Sequence, residues 1–161
     1  LGAMNDSSKA IMTLMMLIGG SPGSTAGGMK TTTIAVLILN AFATFGREPE
    51  TEVFGRRFDN TVVKNAATIA ILYFFLFFAG GIAISQIEHI ALSDCLFETA
   101  SAVGTAGLTL GITTELGLVS HLILVVLMYL GRVGGLTLIY AAISVKIQSG
   151  AKRPLDKITV G

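Results

Sequence analysis

Three glycine-rich stretches interrupt the apolar parts of this chain, and their residue types suit the binding of a cation by backbone oxygens. The first runs from Gly19 to Gly28, the second from Gly104 to Gly107, and the third from Gly131 to Gly135. Glycine tolerates unwound backbone, and unwound backbone leaves carbonyl oxygens without helical partners. Rings of carbonyl oxygens can replace the hydration shell of a cation, so these stretches predict an ion or substrate path.

The first stretch lies inside an apolar run that is too long for one membrane crossing. As a continuous helix from Ala10 to Phe45, the run would measure about 54 Å, whereas the hydrocarbon core of a bilayer is about 30 Å thick. Five glycines and Pro22 within it therefore predict a helix that is broken in the middle. Irregular backbone at membrane depth persists only where protein buries it or where it lines a wet cavity, and such breaks mark transport paths.

Lys30 follows this stretch and has more than one interpretation. Residues 23–31 nearly match the phosphate-binding pattern G-x-x-x-x-G-K-[ST], but Met29 separates the second glycine from the lysine. That extra residue, and the lack of a preceding strand pattern, disfavour a nucleotide-binding enzyme. In a membrane span, Lys30 either faces a polar interior beside residues 31–33 or extends its ammonium group to the inner interface.

The second stretch follows a short apolar segment, for which Ser93 is the expected N-cap. No lysine or arginine occurs between Ser85 and Leu118. We therefore expect a re-entrant half-helix on the outer side that ends in a carbonyl filter, the filter segment (residues 103–107). The alternative is a plain extracellular turn. Glu98 in the half-helix either supports the filter or attracts cations.

Arg132 lies in the third stretch, about halfway along the apolar segment from Leu116 to Val145. Its fixed fork of donors keeps its charge, so it could bind exposed carbonyls of the broken segment or raise an electrostatic barrier to cations. Gly131 and Gly135 also form a G-x-x-x-G pattern, which is typical of close helix packing. The packing role is compatible with either of the other two.

Composition indicates an integral membrane protein, because 52% of the residues are hydrophobic and only 13% are charged, against about 25% charged in soluble domains. A formal net charge of +1 gives no indication of nucleic-acid binding. Cys95 is the single cysteine, so a disulfide or a thiolate metal site within one chain is excluded. We expect Cys95 to be a small buried apolar side chain.

Basic residues predict the orientation of the chain in the membrane. Arg47, Arg56, Arg57 and Lys64 lie in the first long connection, and Lys146, Lys152, Arg153 and Lys157 lie in the tail. The positive-inside rule places both in the cytoplasm. The expected fold is an all-α integral membrane protein with a membrane helix–re-entrant pore loop–membrane helix repeat, preceded by one broken pore-lining helix. The expected parts are a broken helix (1–45), a cytoplasmic linker (46–60), a complete repeat (61–145) with its pore helix and filter at 93–109, and a cytoplasmic tail (146–161).

An internal repeat supports this organisation. A shift of 112 residues places Ser8 on Ser120 and the segment Met16–Gly19 on Met128–Gly131. Both interrupted spans therefore begin alike and break at a glycine in the same place. We expect the chain to hold the end of one unit and the whole of the next, as a piece of a longer protein.

The three stretches together resemble the Trk/Ktr/HKT potassium transporters. The resemblance rests on residues 19–31, on Phe97-Glu98 with residues 101–108, and on residues 131–134; it covers essentially the whole chain and looks closest to the membrane subunit of the bacterial Ktr system. That family has four membrane–pore-loop–membrane repeats around one pore. The resemblance implies that this chain is the second helix of the third repeat and the complete fourth repeat.

The resemblance also implies functional roles. The ion filter would comprise Val103, Gly104, Thr105, Ala106 and Gly107, with Gly107 as the filter glycine. The intramembrane gating loop would comprise Gly19, Gly20, Ser21, Pro22, Gly23, Ser24, Thr25, Ala26, Gly27, Gly28 and Lys30, with Arg132 as its partner. Potassium would be the transported ion, sodium an activator, and no cofactor would be bound.

The expected setting is the plasma membrane of a bacterium, where the chain contacts lipid and the rest of its own transporter. The resemblance implies a homodimer, a cytoplasmic nucleotide-binding regulatory subunit and no enzymatic activity. A structural membrane anchor built for helix association is the alternative to a transporter.

Overall fold

Five helices and one small hairpin make up the described part of the chain, which in this computed structural model comprises residues 4–46, 52–53 and 56–134. The helices are α1 (Asp6–Leu17), α2 (Thr31–Phe45), α3 (Asn60–Glu88), α4 (Leu92–Gly104) and α5 (Leu118–Val133), with a 3₁₀ turn at Ile112–Glu115. Two short strands, β1 (Glu52–Val53) and β2 (Arg56–Arg57), pair antiparallel, with Glu52 opposite Arg57. The described residues are therefore mostly helical, as expected, whereas the short hairpin was not expected in an all-α protein.

Helix α3 is the longest element, and its sequence explains both its ends. Asp59 caps its start by accepting a hydrogen bond from the backbone N–H of Thr61 at 3.0 Å, a bond that lowers the pKa of the Asp59 carboxyl. His89 ends the helix in the left-handed conformation, at φ 55°. With 29 residues and a mean hydropathy of 2.3 in its most apolar part, α3 is long and apolar enough to cross a membrane. It covers the predicted span from Thr61 to Ser85.

The predicted break in the first apolar run is present. Helix α1 ends at Leu17 and helix α2 begins at Thr31, and the residues between them are not helical. Both helices are apolar but shorter than one membrane thickness. The predicted third span is described only as α5, and its remainder, together with Gly135 and the predicted tail, lies outside the described residues.

Helix α4 lies at the centre of the fold, packed against α1, α3 and α5. Its side chains from Cys95 to Val103 are almost all buried, and Cys95, Phe97 and Val103 are completely inaccessible. Cys95 is a free cysteine in this core, as expected. An apolar helix of 13 residues surrounded in this way positions whatever follows its C-terminus.

The start of α4 differs from the expectation. Ala91, not Ser93, occupies the N-cap position, and Ser93 lies inside the first turn. Asp94 complements the positive end of the helix dipole there. Its carboxylate also accepts a hydrogen bond from Lys9 of α1 at 3.1 Å, so a contact between helices fixes this end in place of a serine cap.

Candidate functional site

Residues 19–30, here called the glycine loop, begin after the end of α1, and the last residues of the loop pair with the first ones. The N–H of Gly19 donates to the carbonyl of Met29 at 2.6 Å, and the N–H of Met29 donates to the carbonyl of Leu17 at 3.3 Å. These bonds form a bridge of the parallel type between Ile18 and Met29. A Cβ at Gly19 would overlap the carbonyl oxygen of Gly27, so only glycine permits this closure. The base of the loop is therefore fixed, although the segment has no regular structure.

Two cationic side chains bind three consecutive carbonyl oxygens at the tip of the loop. The Lys30 ammonium donates to the carbonyls of Ser24 at 3.2 Å and Ala26 at 2.6 Å. The Arg132 guanidinium donates through Nη1 to the carbonyl of Thr25, which lies between them. Hydrogen bonds with a charged donor are about twice as strong as neutral ones, so this arrangement holds an otherwise unpaired backbone.

Lys30 and Arg132 both contact the backbone of the glycine loop, which bears on the interpretations that the sequence left open. Lys30 turns back onto its own loop, which is neither an extension to the membrane interface nor the geometry of a phosphate site. Arg132 lies in the last turn of α5 and binds a loop carbonyl. The G-x-x-x-G interpretation rests partly on Gly135, which lies outside the described residues.

The filter segment begins inside α4 and continues beyond it. Val103 and Gly104 are the last two residues of the helix, and Thr105 follows in the left-handed conformation, with φ 51° and ψ 37°. Gly107 has φ 74°, a value that favours glycine. The N–H of Ala106 donates to the carbonyl of Ser101 at 2.9 Å, and the N–H of Leu108 donates to the Ser101 hydroxyl at 2.9 Å. These bonds reverse the chain direction directly after the helix.

The carbonyl oxygens of residues 105–107 accept no hydrogen bond within the part of the chain that the structure describes. Ala106 and Gly107 are also exposed, whereas Val103 is fully buried. The backbone oxygens that could meet a cation are therefore those that follow the helix.

Glycines allow the three predicted stretches to meet. A Cβ at Gly104 would overlap the carbonyl oxygen of Met16 in α1, and a Cβ at Gly131 would overlap the carbonyl oxygen of Val103. A Cβ at Gly28 would lie 3.2 Å from the Cα of Gly104. The filter segment, the end of α1 and the end of α5 thus approach one another at backbone distance.

Hydrogen bonds join the same parts. The N–H of Gly28 donates to the carbonyl of Gly131 at 3.2 Å, and the N–H of Gly27 donates to the hydroxyl of Thr105 at 2.8 Å. The Tyr73 hydroxyl of α3 also contacts the Gly131 carbonyl, at 3.4 Å. The glycine loop is therefore bound both to α5 and to the filter segment.

Glu98 supports the chain that follows the filter segment. Its side chain is 4% exposed and accepts hydrogen bonds from the Thr109 hydroxyl at 2.6 Å, the Leu110 N–H at 3.0 Å and the Thr113 hydroxyl at 2.8 Å. All three donors belong to residues 109–113. Of the two roles that the sequence left open, the geometry favours support over attraction of cations.

Sequence reasoning missed two side chains at this site. Tyr73 is the one hydroxyl-bearing ring in a run of phenylalanines, and an isolated polar group in such a run is a signal for a buried partner. The Thr105 side chain gave no signal, because only its backbone was expected to matter. The described residues contain no group of three or more His, Cys, Asp or Glu that could hold a metal ion.

Comparison with known proteins agrees with the motifs. The model of the TrkH family, described as Cation transport protein, matches residues 1–151. Potassium/sodium uptake protein NtpJ of Enterococcus hirae is 35% identical over 153 residues, which are 91% of this chain and 34% of that protein. Ktr system potassium uptake protein B of Bacillus subtilis is 32% identical over 160 residues, 99% of this chain and 36% of that protein.

A mycoplasma relative matches a shorter part of this chain. Uncharacterized cation transporter MG322 homolog of Mycoplasma pneumoniae is 41% identical over 140 residues, 82% of this chain and 25% of that protein. The chain thus spans about a third of NtpJ and of the Bacillus protein, at 34% and 36% of their lengths. The family is one of cation transport and not a class of enzymes. From the family match and the motifs together, the chain belongs to the TrkH family of cation transport proteins.

Proposed function

We propose that this chain is the C-terminal part of a potassium-translocating membrane subunit. Potassium sheds its water into the carbonyl oxygens of the filter segment, which is supplemented by corresponding loops of the preceding repeats. The ion then meets a constriction formed by the glycine loop, which Arg132 holds in place. The unused carbonyls of residues 105–107 support the filter, since free, exposed backbone oxygens are the ligands that replace an ion's hydration shell.

The observation that carries the proposal is the direct contact of the loop with the filter segment. Gly27 of the glycine loop donates to Thr105 of the filter segment at 2.8 Å, and Arg132 binds the carbonyl of Thr25 in the same loop. An unwound, polar backbone held directly beside a filter is placed to obstruct it. Loop and filter therefore belong to one path.

The proposed setting follows from the apolar surface, the charges and the relatives. Large apolar side chains such as Ile71, Phe75 and Leu118 are 67–75% exposed, which suits contact with lipid. The basic linker and tail face the cytoplasm of a bacterium, and α4 is re-entrant from the outer side. Relatives are named as proteins of the Ktr system, so we propose a homodimer with a cytoplasmic nucleotide-binding regulatory subunit and with sodium as an activator.

Gly107→Ser in the full-length transporter tests the filter. Gly107 has φ 74° and open space around an added Cβ, so serine would strain the backbone by about 1–2 kcal/mol and move the adjacent carbonyls. We expect a weaker preference for potassium over sodium in whole-cell uptake, with normal membrane insertion. Gly111→Ser is the comparison, because Gly111 also has a positive φ, 103°, and open space but lies beyond the filter segment, among the residues that Glu98 supports. We expect a smaller loss of preference there than in Gly107→Ser.

The outcome of this pair of variants decides between the two classes of function. Unchanged selectivity in Gly107→Ser with normal expression would remove Gly107 from the filter. It would favour the alternative, a structural membrane anchor whose glycines serve helix association alone. An equal loss in Gly111→Ser would show that strain anywhere in the outer chain alters selectivity.

A further inference from the structure

The Thr105 side chain belongs to two elements at once. Its backbone is part of the filter segment, whereas its hydroxyl oxygen accepts the hydrogen bond from the N–H of Gly27 at 2.8 Å. A Cβ at Gly27 would lie 2.6 Å from both branches of the Thr105 side chain. The two residues are thus in van der Waals contact as well as hydrogen-bonded.

Thr105 also has an unusual backbone conformation. Its φ of 51° is positive, and β-branched residues rarely adopt this region, which costs about 1–2 kcal/mol for a residue other than glycine. Conformations of this kind persist only where the surroundings over-determine them. The N–H of Thr105 donates to the carbonyl of Ala102 at 3.1 Å and the N–H of Ala106 donates to the carbonyl of Ser101 at 2.9 Å, which are constraints from the helix end itself. The hydroxyl bond to Gly27 adds a constraint from outside the helix.

We infer that the Thr105 hydroxyl is a positioning group that couples the glycine loop to the filter, so that cation preference depends on where the loop is. With the loop in place, the bond from Gly27 holds Thr105 in its strained conformation and thereby fixes the carbonyls of Ala106 and Gly107. When the loop moves away, that constraint is lost and Thr105 relaxes. This inference rests on the proposed function, because it requires both a filter and a moving loop.

The other hydrogen bonds of the loop do not provide this coupling. Arg132 and the carbonyl of Gly131 belong to α5, and Lys30 binds within the loop itself. Among the described residues, Thr105 alone joins the loop to the filter segment by a hydrogen bond. Removal of its hydroxyl should therefore uncouple the two without releasing the loop from α5.

Two substitutions in the full-length transporter separate the hydroxyl from the shape of the side chain. Thr105→Val keeps the branched shape and removes the hydroxyl, whereas Thr105→Ser keeps the hydroxyl. Thr44→Val is the control, since the Thr44 hydroxyl donates only to Asn40 in its own helix. Each is combined with Arg132→Ala, which releases the loop, and the potassium-to-sodium permeability ratio is measured.

We expect Arg132→Ala to lower the ratio about fivefold in the parent, which corresponds to one hydrogen bond of about 1 kcal/mol. Thr105→Val alone should lower it by a similar factor, and the double variant should show no further change. In the Thr105→Ser and Thr44→Val backgrounds, Arg132→Ala should lower the permeability ratio as much as it does in the parent. A parent-like ratio in Thr105→Val, or effects of the two variants that simply multiply, would overturn the inference.

Hydrogen exchange tests the contact without any measurement of flux. Thr105→Val should raise the amide exchange of peptides that cover the glycine loop and the filter segment, whereas Thr105→Ser should not. Unchanged exchange in Thr105→Val would show that the contact carries no constraint. If Gly107→Ser leaves selectivity unchanged while exchange still rises in Thr105→Val, the proposed function fails and the contact stands.

Discussion

The carbonyls of Ser24, Thr25 and Ala26 are bound by cations that come from two different places. Lys30 reaches back from within the loop, four residues from Ala26, whereas Arg132 comes from α5, 107 residues away in sequence from Thr25. The lysine therefore moves with the loop and maintains its shape. If the loop leaves α5 as proposed, the arginine bond has to break together with the bond from Gly28 to the Gly131 carbonyl, so we expect the arginine to affect how readily the loop moves.

Substitution of Arg132 separates charge from hydrogen-bond geometry. Lysine keeps the charge but is a compact point donor, and it does not reproduce the guanidinium fork. A charge-assisted hydrogen bond contributes about 1.5–3 kcal/mol, so its loss should shift the closed-to-open ratio by roughly tenfold or more. We expect Arg132→Lys and Arg132→Ala both to raise potassium flux through the full-length protein.

Single-channel or flux recordings on the two Arg132 variants provide the measurement. Lys64→Ala is a suitable control, because Lys64 is an exposed cation near the start of α3, away from the loop. If Arg132→Lys matches the parent while Arg132→Ala does not, Arg132 acts as an electrostatic barrier and the hydrogen-bond account is wrong.

Glu98 is a second residue whose role follows from its partners. In Glu98→Gln, an amide NH₂ replaces one acceptor oxygen and faces donors from residues 109–113. The Thr113 hydroxyl can turn to accept from this amide, since it already shares a hydrogen bond with the Thr109 hydroxyl. The bonds nevertheless lose their carboxylate acceptor, and a hydrogen bond to a charged group contributes about 1.5–3 kcal/mol against about 1 kcal/mol for a neutral one. We therefore expect a lower melting temperature of the full-length protein in detergent and weaker potassium preference. Glu115→Gln, an exposed change in the neighbouring 3₁₀ turn, should alter neither quantity. Equal melting temperatures for the two variants would contradict the support role.

At the scale of elements, the glycine loop is the part whose removal has the clearest expected result. Deletion of residues 21–26 removes the three carbonyls bound by Lys30 and Arg132 but spares the pairing of Met29 with Leu17 and Gly19. We expect higher potassium flux and less dependence on the proposed regulatory subunit, because the proposed obstruction is removed while both helices keep their positions. Flux assays with and without that subunit measure both effects.

A deletion variant that inserts into the membrane and still shows ordinary regulated flux would rule out a gate. Shortening the hairpin of β1 and β2, which lies between α2 and α3 in the chain, offers a comparison of similar length. Only the loop deletion should raise flux.

Local signals in the sequence predicted the elements well, but not how the elements touch. The break after Leu17 follows from the length of an apolar run, and α3 follows from its uninterrupted apolar residues. The contact of Gly27 with Thr105 joins residues 78 apart, and no local pattern encodes such a pair. Ser93 was the wrong choice of cap because Lys9, on another helix, contacts the start of α4.

For the site residues, too, the sequence indicated which residues matter but not which contacts they make. Gly107 was expected as the filter glycine from the family resemblance alone, because its positive φ and the open space around an added Cβ leave no mark in the local sequence. Arg132 was predicted to bind loop carbonyls as one of several possibilities, because its type and depth both suited that role. The particular carbonyl, of Thr25, depends on how α5 packs against the loop.

At the scale of the whole molecule, this chain contains one proposed filter segment and spans about a third of the length of NtpJ and of the Bacillus relative, at 34% and 36%. A cation surrounded by carbonyls from a single loop keeps most of its water. We therefore expect this chain alone, reconstituted in liposomes, to give no potassium-selective flux, whereas the full-length transporter does. Selective flux from the chain alone would show that its copies assemble a complete filter among themselves.

The closure of the glycine loop at its base has a consequence for engineering. Because Ile18 and Met29 pair in the parallel sense, the chain resumes its earlier direction after an excursion, and the length of that excursion is not constrained by α1 or α2. Gly23 lies exposed at its far side, with nothing within 4 Å of an added Cβ. A short insertion carrying a fluorophore after Gly23 would therefore be attached to the proposed gate without displacing either helix. Its fluorescence would report the position of the glycine loop in real time.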